Sequence, residues 1–377
     1  MTGLRLAWFE AWRERRRALL ATSAFGLVLT VALAVAGLAD GLHRGSTGIV
    51  RALDADLVIT DESARGQILR SRVPAPQLNA LLGVEGVSDT GVVSLLPTTA
   101  EVGDDRVRVT AVGFTSRSPA EPVDLIDGRV PVTGEPRIAA VDARLRGVAV
   151  GDVLRLGGAR EVEVTGLIDD GSFLQQPTVW LPHEEWARLR SAVLPEGSYA
   201  ERLIGAGMVR LAPDADGTAV AREIAEALDH EVEVLTREEA IAEVPGVTAQ
   251  TLTLGTITGV AVGVAAVVAA LLGAFAVLER RAVFAALRAF GAPGRTILTA
   301  VLGRVAVTSL AGSVGAWALV WVLTLAAPPT VPIDVRPTVL LSVVSIASVG
   351  ALAGAALAAA VLLRRITPAA AFEEAPR

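Results

Sequence analysis

Four stretches without a single charged residue set the frame for this chain. They are Ala18–Ala39, Leu254–Leu278, Val305–Ala327 and Thr338–Leu363, of 22, 25, 23 and 26 residues. The hydrocarbon core of a bilayer is about 30 Å thick and takes roughly 20 apolar residues to cross as a helix. Each stretch is therefore long enough to span with some tilt. A charge at the centre of a span costs about 2.5–3.5 kcal/mol on the insertion scale, so its complete absence is informative. A buried helix of a large soluble protein also tolerates such a run. Four of them, with 52% hydrophobic residues overall and a mean hydropathy of +0.52, do not suit a soluble fold. The first run follows a basic segment, and Ala34-Val35-Ala36 imitates a signal-peptidase site. Signal h-regions are only about 7–15 residues long, so the run reads as an uncleaved anchor.

Charge orients the spans. Arg5, Arg13, Arg15, Arg16 and Arg17 precede the first; Arg280, Arg281, Arg288, Arg295 and Arg304 lie between the second and third; Arg364 and Arg365 follow the fourth. The connection between the third and fourth holds only Arg336. Positive residues stay inside, which places both termini and the 279–304 loop in the cytoplasm. Residues 40–253, on the other side, carry 20 Arg against 34 Asp and Glu, a net of −14; the rest carry 14 Arg and 6 acids, a net of +8. The expected fold class is an α-helical membrane protein with four transmembrane helices and a large extracytoplasmic α+β domain inserted between helices 1 and 2. The expected segments are a cytoplasmic amphipathic helix at 1–17, spans at 18–39, 254–278, 305–327 and 338–363, and the outer domain at 40–253. A cytoplasmic loop at 279–304, a Pro-stiffened outer loop at 328–337 and a tail at 364–377 complete the chain. In the first segment Leu4, Trp8 and Trp12 recur one turn apart with Arg5, Arg13 and Arg16 elsewhere, as for a helix lying in the inner interface. A plain cytoplasmic extension of the first span fits the same residues.

The outer segment mixes patterns. Asp56–Thr60, Val107–Val112, Val153–Leu156, Glu161–Thr165 and Met208–Leu211 read as strands; Pro76–Leu82, His183–Leu189 and Thr218–Leu228 read as helices. Catalytic patterns are missing from it. His183-Glu184-Glu185 lacks the second His of a helical zinc motif, and Gly45-Ser46-Thr47-Gly48 is no nucleophile elbow. The acid pairs Asp104-Asp105 and Asp169-Asp170 sit in turn-like contexts and read as solvated loop charges. The chain has no Cys, and all 34 of its basic residues are Arg. That excludes disulfides, thiolate metal sites, a Schiff-base lysine and a Walker A loop. No enzymatic activity, metal site or nucleic-acid partner is expected.

Two features carry function. The spacing Gly255-xxx-Gly259-xxx-Gly263 in span two, and Gly350-xxx-Gly354 with Ala358 in span four, place small residues on one stripe where another helix can approach closely. Such a seam would lie within the chain or between two copies. The second feature is the loop Glu279-Arg280-Arg281-Ala-Val283-Phe284-Ala-Ala-Leu287-Arg288-Ala-Phe290-Gly291-Ala292-Pro293. Val283, Phe284, Leu287 and Phe290 fall at helical spacing, and Gly291 and Pro293 stop the helix. Phe284, Leu287 and Phe290 need somewhere to bury, which a partner's groove supplies. A basic loop that only fixes topology is the plainer reading. No span contains Asp, Glu, Lys, Arg or His, which disfavours a hydrophilic path through them.

The whole layout resembles a permease subunit of the FtsX-like, MacB-type ABC transporters. The stretch Glu279–Ala292, Arg365-Ile-Thr-Pro-Ala369, Asp54-Ala-Asp-Leu-Val-Ile59, Val150-Gly-Asp152 and Val164-Thr-Gly-Leu-Ile168 carry the likeness. Gly37-Leu-Ala-Asp-Gly-Leu42 and Pro329-Thr-Val-Pro-Ile333 look most like the DevC/HrtB branch. The resemblance implies a homodimer bound to two copies of a separate ATPase that holds ATP and Mg, with residues 280–290 as the coupling helix. No cofactor is implied in this chain itself, and an extracytoplasmic adaptor is compatible with it. The work done would be export of a lipophilic substrate such as a lipid, lipopeptide, hydrophobic drug or haem. Haem has little support here, because the spans hold no His, Met, Cys or Tyr and Met208 reads as core. The alternative is a subunit that transports nothing and controls an outer partner such as a cell-wall hydrolase. A weaker third reading is a membrane-anchored binding module with no ATPase.

Overall fold

The computed structural model describes residues 15–74, 78, 80–194, 203–228, 231–327 and 331–365. Residues 1–14 of the amphipathic segment expected at 1–17, and Pro76, Gln77 and Asn79 of the helix expected at Pro76–Leu82, lie outside them. Leu81–Gly83 at the end of the latter is one turn of 3-10 helix. The chain divides into two compact units, Leu42–Thr251 and the residues on either side of it.

Helix α1, Arg15–Ala52, is the first described element and has 38 residues, well beyond the uncharged run. Its residues from Leu42 onward belong to the central unit. The strands there are β1 (Leu57–Asp61), β2 (Val73–Pro74), β3 (Val87–Val102), β4 (Asp105–Phe114), β5 (Leu125–Gly128), β6 (Ile138–Asp142), β7 (Val153–Leu156), β8 (Arg160–Ile168), β9 (Thr178–Pro182), β10 (Leu203–Ile204), β11 (Ala206–Leu211) and β12 (Val232–Thr236). Helix α2 spans His183–Val193, α3 Gly217–Ala227 and α4 Arg237–Ala242. Asp216 caps α3 by accepting from the Thr218 N–H at 3.0 Å, and Thr236 with Glu239 forms a capping box on α4.

One ten-stranded sheet runs β12-β1-β11-β3-β4-β9-β6-β8-β5, and β7 bridges β8 back to β3. Strands β3, β4, β9, β6, β8 and β7 therefore close on themselves as a six-stranded barrel. Alternate residues fill it, including Ala111, Val141, Leu156, Val164 and Leu181, with Trp186 and Leu189 of α2 in the same cluster. The remaining antiparallel strands form a two-sided sheet. In β1, Leu57 and Ile59 join Val220 and Ile224 of α3 on one face. Val58 and Met208 join Ile49 and Val50 of α1, and Leu53 just after it, on the other. This is the period-two alternation that the valine-rich sequence predicts, and it places Met208 in the core.

The end of α1 is tied to the segment 169–176. The N–H of Ile49 donates to the Ser172 carbonyl at 3.2 Å, and the N–H groups of Leu174 and Gln175 donate to the carbonyls of Ser46 and Gly45 at 3.3 and 2.8 Å. Gly48 makes this approach possible, since a Cβ there would meet the Ser172 carbonyl oxygen at 2.6 Å. The Asp170 carboxylate accepts from Arg44 at 2.7 Å, from Arg144 at 3.5 Å, and from Arg51. The sequence context predicts a solvated loop charge at Asp170; it is instead buried, with three guanidinium groups converging on it.

Asp142 of β6 is also fully buried, and accepts from the Ser172 hydroxyl and from the Arg144 N–H at 2.9 Å. Burial pushes its pKa above the ordinary carboxylate value, more than these bonds lower it. With a raised folded-state pKa, its contribution to stability is fully present below the unfolded value and is lost as pH rises through the folded one. Thermal unfolding of the full chain between pH 4 and pH 7 is expected to show wild type losing more stability with rising pH than Asp142→Asn. Parallel pH profiles for the two proteins would contradict this account.

The other unit contains the long helices α5 (Val247–Leu278), α7 (Gly294–Ala326) and α8 (Pro337–Arg365), with the short α6 (Arg281–Ala289) between α5 and α7. With α1 they make four helices long and apolar enough to cross a membrane. The buried positions follow a four-residue repeat: Val343, Ala347, Ala351, Ala355 and Ala359 on α8, and Ile297, Val301, Val305, Ser309 and Ser313 on α7. Small residues dominate these stripes because lipid offers no hydrophobic drive for association, so helices hold together by close packing. Gly26 of α1 meets Gly312 of α7 in this way, a Cβ on the first lying 3.0 Å from the carbonyl oxygen of the second.

Candidate coupling surface and helix seams

Helix α6 begins where Arg280 leaves helical geometry and ends at Phe290. Gly291 then takes a positive φ of 84°, which L side chains disfavour, and its N–H donates to the Arg288 carbonyl at 3.0 Å. The Ala292 N–H donates to the Leu287 carbonyl at 3.0 Å, so the turn is fully bonded. Pro293 caps the start of α7. The stop signal at the C-terminal end of this element thus coincides with specific backbone bonds.

The expected apolar stripe divides in two. Phe284 is only 7% exposed and belongs to the cluster that holds Val277, Ile297 and Val301. It corrects the expectation that a partner must bury it, because α5 and α7 already do. Val283, Leu287 and Phe290 remain 46%, 37% and 91% exposed. Arg281 and Arg288 are exposed beside them. The Arg288 guanidinium donates to the Leu363 carbonyl at 3.3 Å, tying α6 to the end of α8. Nothing in the spacing of residues pointed to that bond. Glu279 and Arg280 line, with Arg304, Phe25, Leu272 and Phe275, a cavity of about 130 Å³ at the same end of the helices. They therefore bound the helical interior as well as the surface.

The two glycine stripes also differ. A Cβ on Gly350 would lie 2.6 Å from the Ala266 carbonyl oxygen, and one on Gly354 closer still to that of Ala270. The span-four stripe is thus a seam within the chain, between α8 and α5. Gly273 of α5 answers it by abutting the Ala351 carbonyl. Around Gly255, Gly259 and Gly263 a Cβ would meet nothing within 4 Å. Leu252, Val260, Val264 and Val267 on the same helix are exposed. Among the described residues no group of three or more His, Asp or Glu is placed to hold a metal ion.

Comparison with known proteins supplies the family. Residues 18–227 match the MacB-like periplasmic core domain, and residues 255–368 match the FtsX-like permease C-terminal domain. Uncharacterized ABC transporter permeases of Mycobacterium tuberculosis (Rv2563) and Mycobacterium bovis (Mb2592) are each 29% identical over 332 residues, covering 86% of this chain and 85% of theirs. Among solved structures, the periplasmic region of MacB from Actinobacillus actinomycetemcomitans aligns with 50% of this chain and 92% of its own, at 13% identity and a TM-score of 0.39. The extracellular domain of the noncanonic ABC-type transporter YknZ from Gram-positive bacteria covers 48% of this chain and 99% of its own, at 17% identity and a TM-score of 0.35. Scores this low add nothing to the assignment, which rests on the two sequence matches. With one domain inserted between the first and second of four membrane helices, and both of its parts matched in order, the chain belongs to the FtsX-like, MacB-type family of ABC transporter permeases.

Proposed function

We propose that this permease couples a separate ATPase to export of a lipophilic substrate, with α6 as the element the ATPase grips. The observation that carries this reading is the face formed by Val283, Leu287 and Phe290. A phenylalanine 91% exposed at the end of a short helix is the kind of anchor that fills a partner's pocket. Arg281 and Arg288 flank it, and the Arg distribution supports a cytoplasmic location for α6 and both termini, where ATP is available. ATP and Mg would be held by two copies of the partner, and a second permease copy would meet this one along the open Gly255, Gly259 and Gly263 face of α5. Without charged groups in the spans, work is transmitted by helix movement rather than through a polar pore.

The test uses residues on the exposed face and leaves Phe284 alone, since its replacement would damage the fold. Co-expression with candidate ATPases, followed by co-purification in detergent, is expected to recover a complex with wild type. Leu287→Asp with Phe290→Asp is expected to lose it, with ATP hydrolysis by the reconstituted complex falling at least tenfold. Recovery of an intact, fully active complex with the double variant would remove α6 as the docking element.

A further inference from the structure

The segment 169–176 has a strained backbone. Asp170, Leu174 and Gln175 have φ of +56°, +48° and +65°, the left-handed region that residues with side chains rarely adopt. Phe173 and Gln176 each donate an N–H to the other's carbonyl at 2.9 Å, so Leu174 and Gln175 are the central pair of a tight hairpin turn. A two-residue turn with positive φ at both positions is ordinarily made by Asn and Gly. Leu and Gln are held in it from outside, since their N–H groups donate to the Ser46 and Gly45 carbonyls of α1 at 3.3 and 2.8 Å. Strain of this kind persists only where the surroundings impose it.

The same segment is held to the sheet by a buried acid. The Ser172 carbonyl accepts from the Ile49 N–H of α1 at 3.2 Å, and the Ser172 hydroxyl donates to the Asp142 carboxylate of β6. Both residues are fully buried. One residue, Ser172, therefore joins an ionisable group inside the sheet to the last turns of α1. On its other side the Gly171 carbonyl accepts from the Thr178 hydroxyl of β9 at 2.9 Å. Phe173 packs in the same cluster as Ile49 and Trp180, so the segment moves as a unit.

The charges around Asp142 come from known elements. Just past β6 the Arg144 N–H donates to it at 2.9 Å, while the Arg144 guanidinium reaches the Asp170 carboxylate at 3.5 Å. Asp170 also pairs with Arg44 and Arg51 of α1. Asp169 beside it is exposed. Strand β9 brings no ionisable residue. On β8, Arg160, Glu161 and Glu163 lie five or more residues before Ile168, the register partner of Asp142. His43 of α1 meets the Thr251 hydroxyl at 3.4 Å. Burial raises the Asp142 pKa more than the bonds from Ser172 and Arg144 lower it.

We infer that the 169–176 segment is a proton-controlled latch on the end of α1, closed while Asp142 keeps its proton and loosened when Asp142 ionises. A neutral acid sits in the closed latch without a desolvated charge, whereas an ionised one is better served by water. Opening lifts Ser172 and Phe173 from β6 and lets Leu174 and Gln175 leave their strained turn. In the open form Asp142 meets water and titrates at its ordinary value. Its closed-state value is raised, so closure is strongest below the ordinary value and weakens as pH rises through the closed-state one. The latch lies wholly within Leu42–Thr251, and it holds whether or not an ATPase docks on α6.

The experiment is hydrogen exchange read by mass spectrometry on the full chain in lipid nanodiscs, without any ATPase, from pH 4 to pH 7.5. Rates are corrected for the chemical pH dependence of exchange. In wild type, peptides covering 44–52 and 169–176 are expected to be at least about threefold less protected at pH 7.5 than at pH 4, while β4 and β11 change less. Asp142→Asn is expected to abolish that difference. Ser172→Ala removes a bond that favours the ionised form, so the pH at which protection falls should move upward. No pH difference in wild type, or one shared equally by β4 and β11, overturns the inference. So does an undiminished difference in Asp142→Asn, which assigns the effect to another group such as His43, or an unmoved or lowered midpoint in Ser172→Ala. The wild-type arms need no variant, so a poorly folding substitution does not decide the outcome.

Discussion

Gly354→Val is expected to lower the thermal midpoint of the full chain by the equivalent of at least about 1–3 kcal/mol, the usual cost of forcing atoms into a packed interface. The new Cβ would collide with the backbone carbonyl of Ala270, and a backbone atom cannot swing aside as a side chain can. Helices α5 and α8 must separate, and the neighbouring contacts of Gly350 with Ala266 and Gly273 with Ala351 separate with them. The same substitution at Gly259 has open space before it. It is expected to leave the midpoint within about 0.5 kcal/mol of wild type, as surface changes do. Its effect would appear instead in light-scattering mass, as a shift from dimer to monomer. An unchanged midpoint for Gly354→Val would remove the α5–α8 seam; an unchanged mass for Gly259→Val would remove the proposed contact between copies.

That pair of glycines shows what pattern conveys and what it does not. Gly255-xxx-Gly259 and Gly350-xxx-Gly354 have the same spacing and the same apolar setting, yet one stripe is filled by a neighbouring helix and the other is open. Spacing defines a face; only the positions of the other helices decide what meets it. Phe284 and Phe290 repeat the lesson. Both lie on the apolar side of α6, and the direction of burial was set by α7, which begins only after Pro293. The spans were legible because lipid excludes charge locally. Their helices run further because hydropathy marks where lipid ends, whereas a helix ends where its backbone finds other partners. Helix α1 continues through Asp40, His43 and Arg44 to Ala52, where the loop at 170–176 receives it. In the outer domain the strands at 57–61, 153–156 and 206–211 were legible from alternation. Closure of the barrel was not, since it depends on four-residue β7 pairing with β3, a partner more than fifty residues back in the chain.

Asp170→Asn is expected to destabilise the chain by about 3 kcal/mol, the lower part of the range for removing one member of a buried ion pair. The lower part applies because Arg44, Arg51 and Arg144 retain 18%, 23% and 33% exposure, while Asp170 retains 7%. Asparagine is the informative replacement. The residue has a φ of +56°, which Asn adopts more readily than most residues, so the change removes charge without adding backbone strain. Three guanidinium groups then face one another without their shared counter-charge. Arg51→Met in the same chain is expected to recover part of the loss, and the non-additivity of the double variant measures the pair directly. Under the proposed export function, a further consequence follows from where Asp170 lies. The segment from Asp170 to Gln175 is bonded to α1 at Arg44, Gly45, Ser46, Ile49 and Arg51. These bonds join that end of α1 to the strands alongside the packing of Ile49 and Val50 on Val58 and Met208. With Asp170→Asn, ATP hydrolysis by the reconstituted complex should persist while substrate export falls, and hydrolysis and export falling in parallel would show that the joint does not transmit the motion.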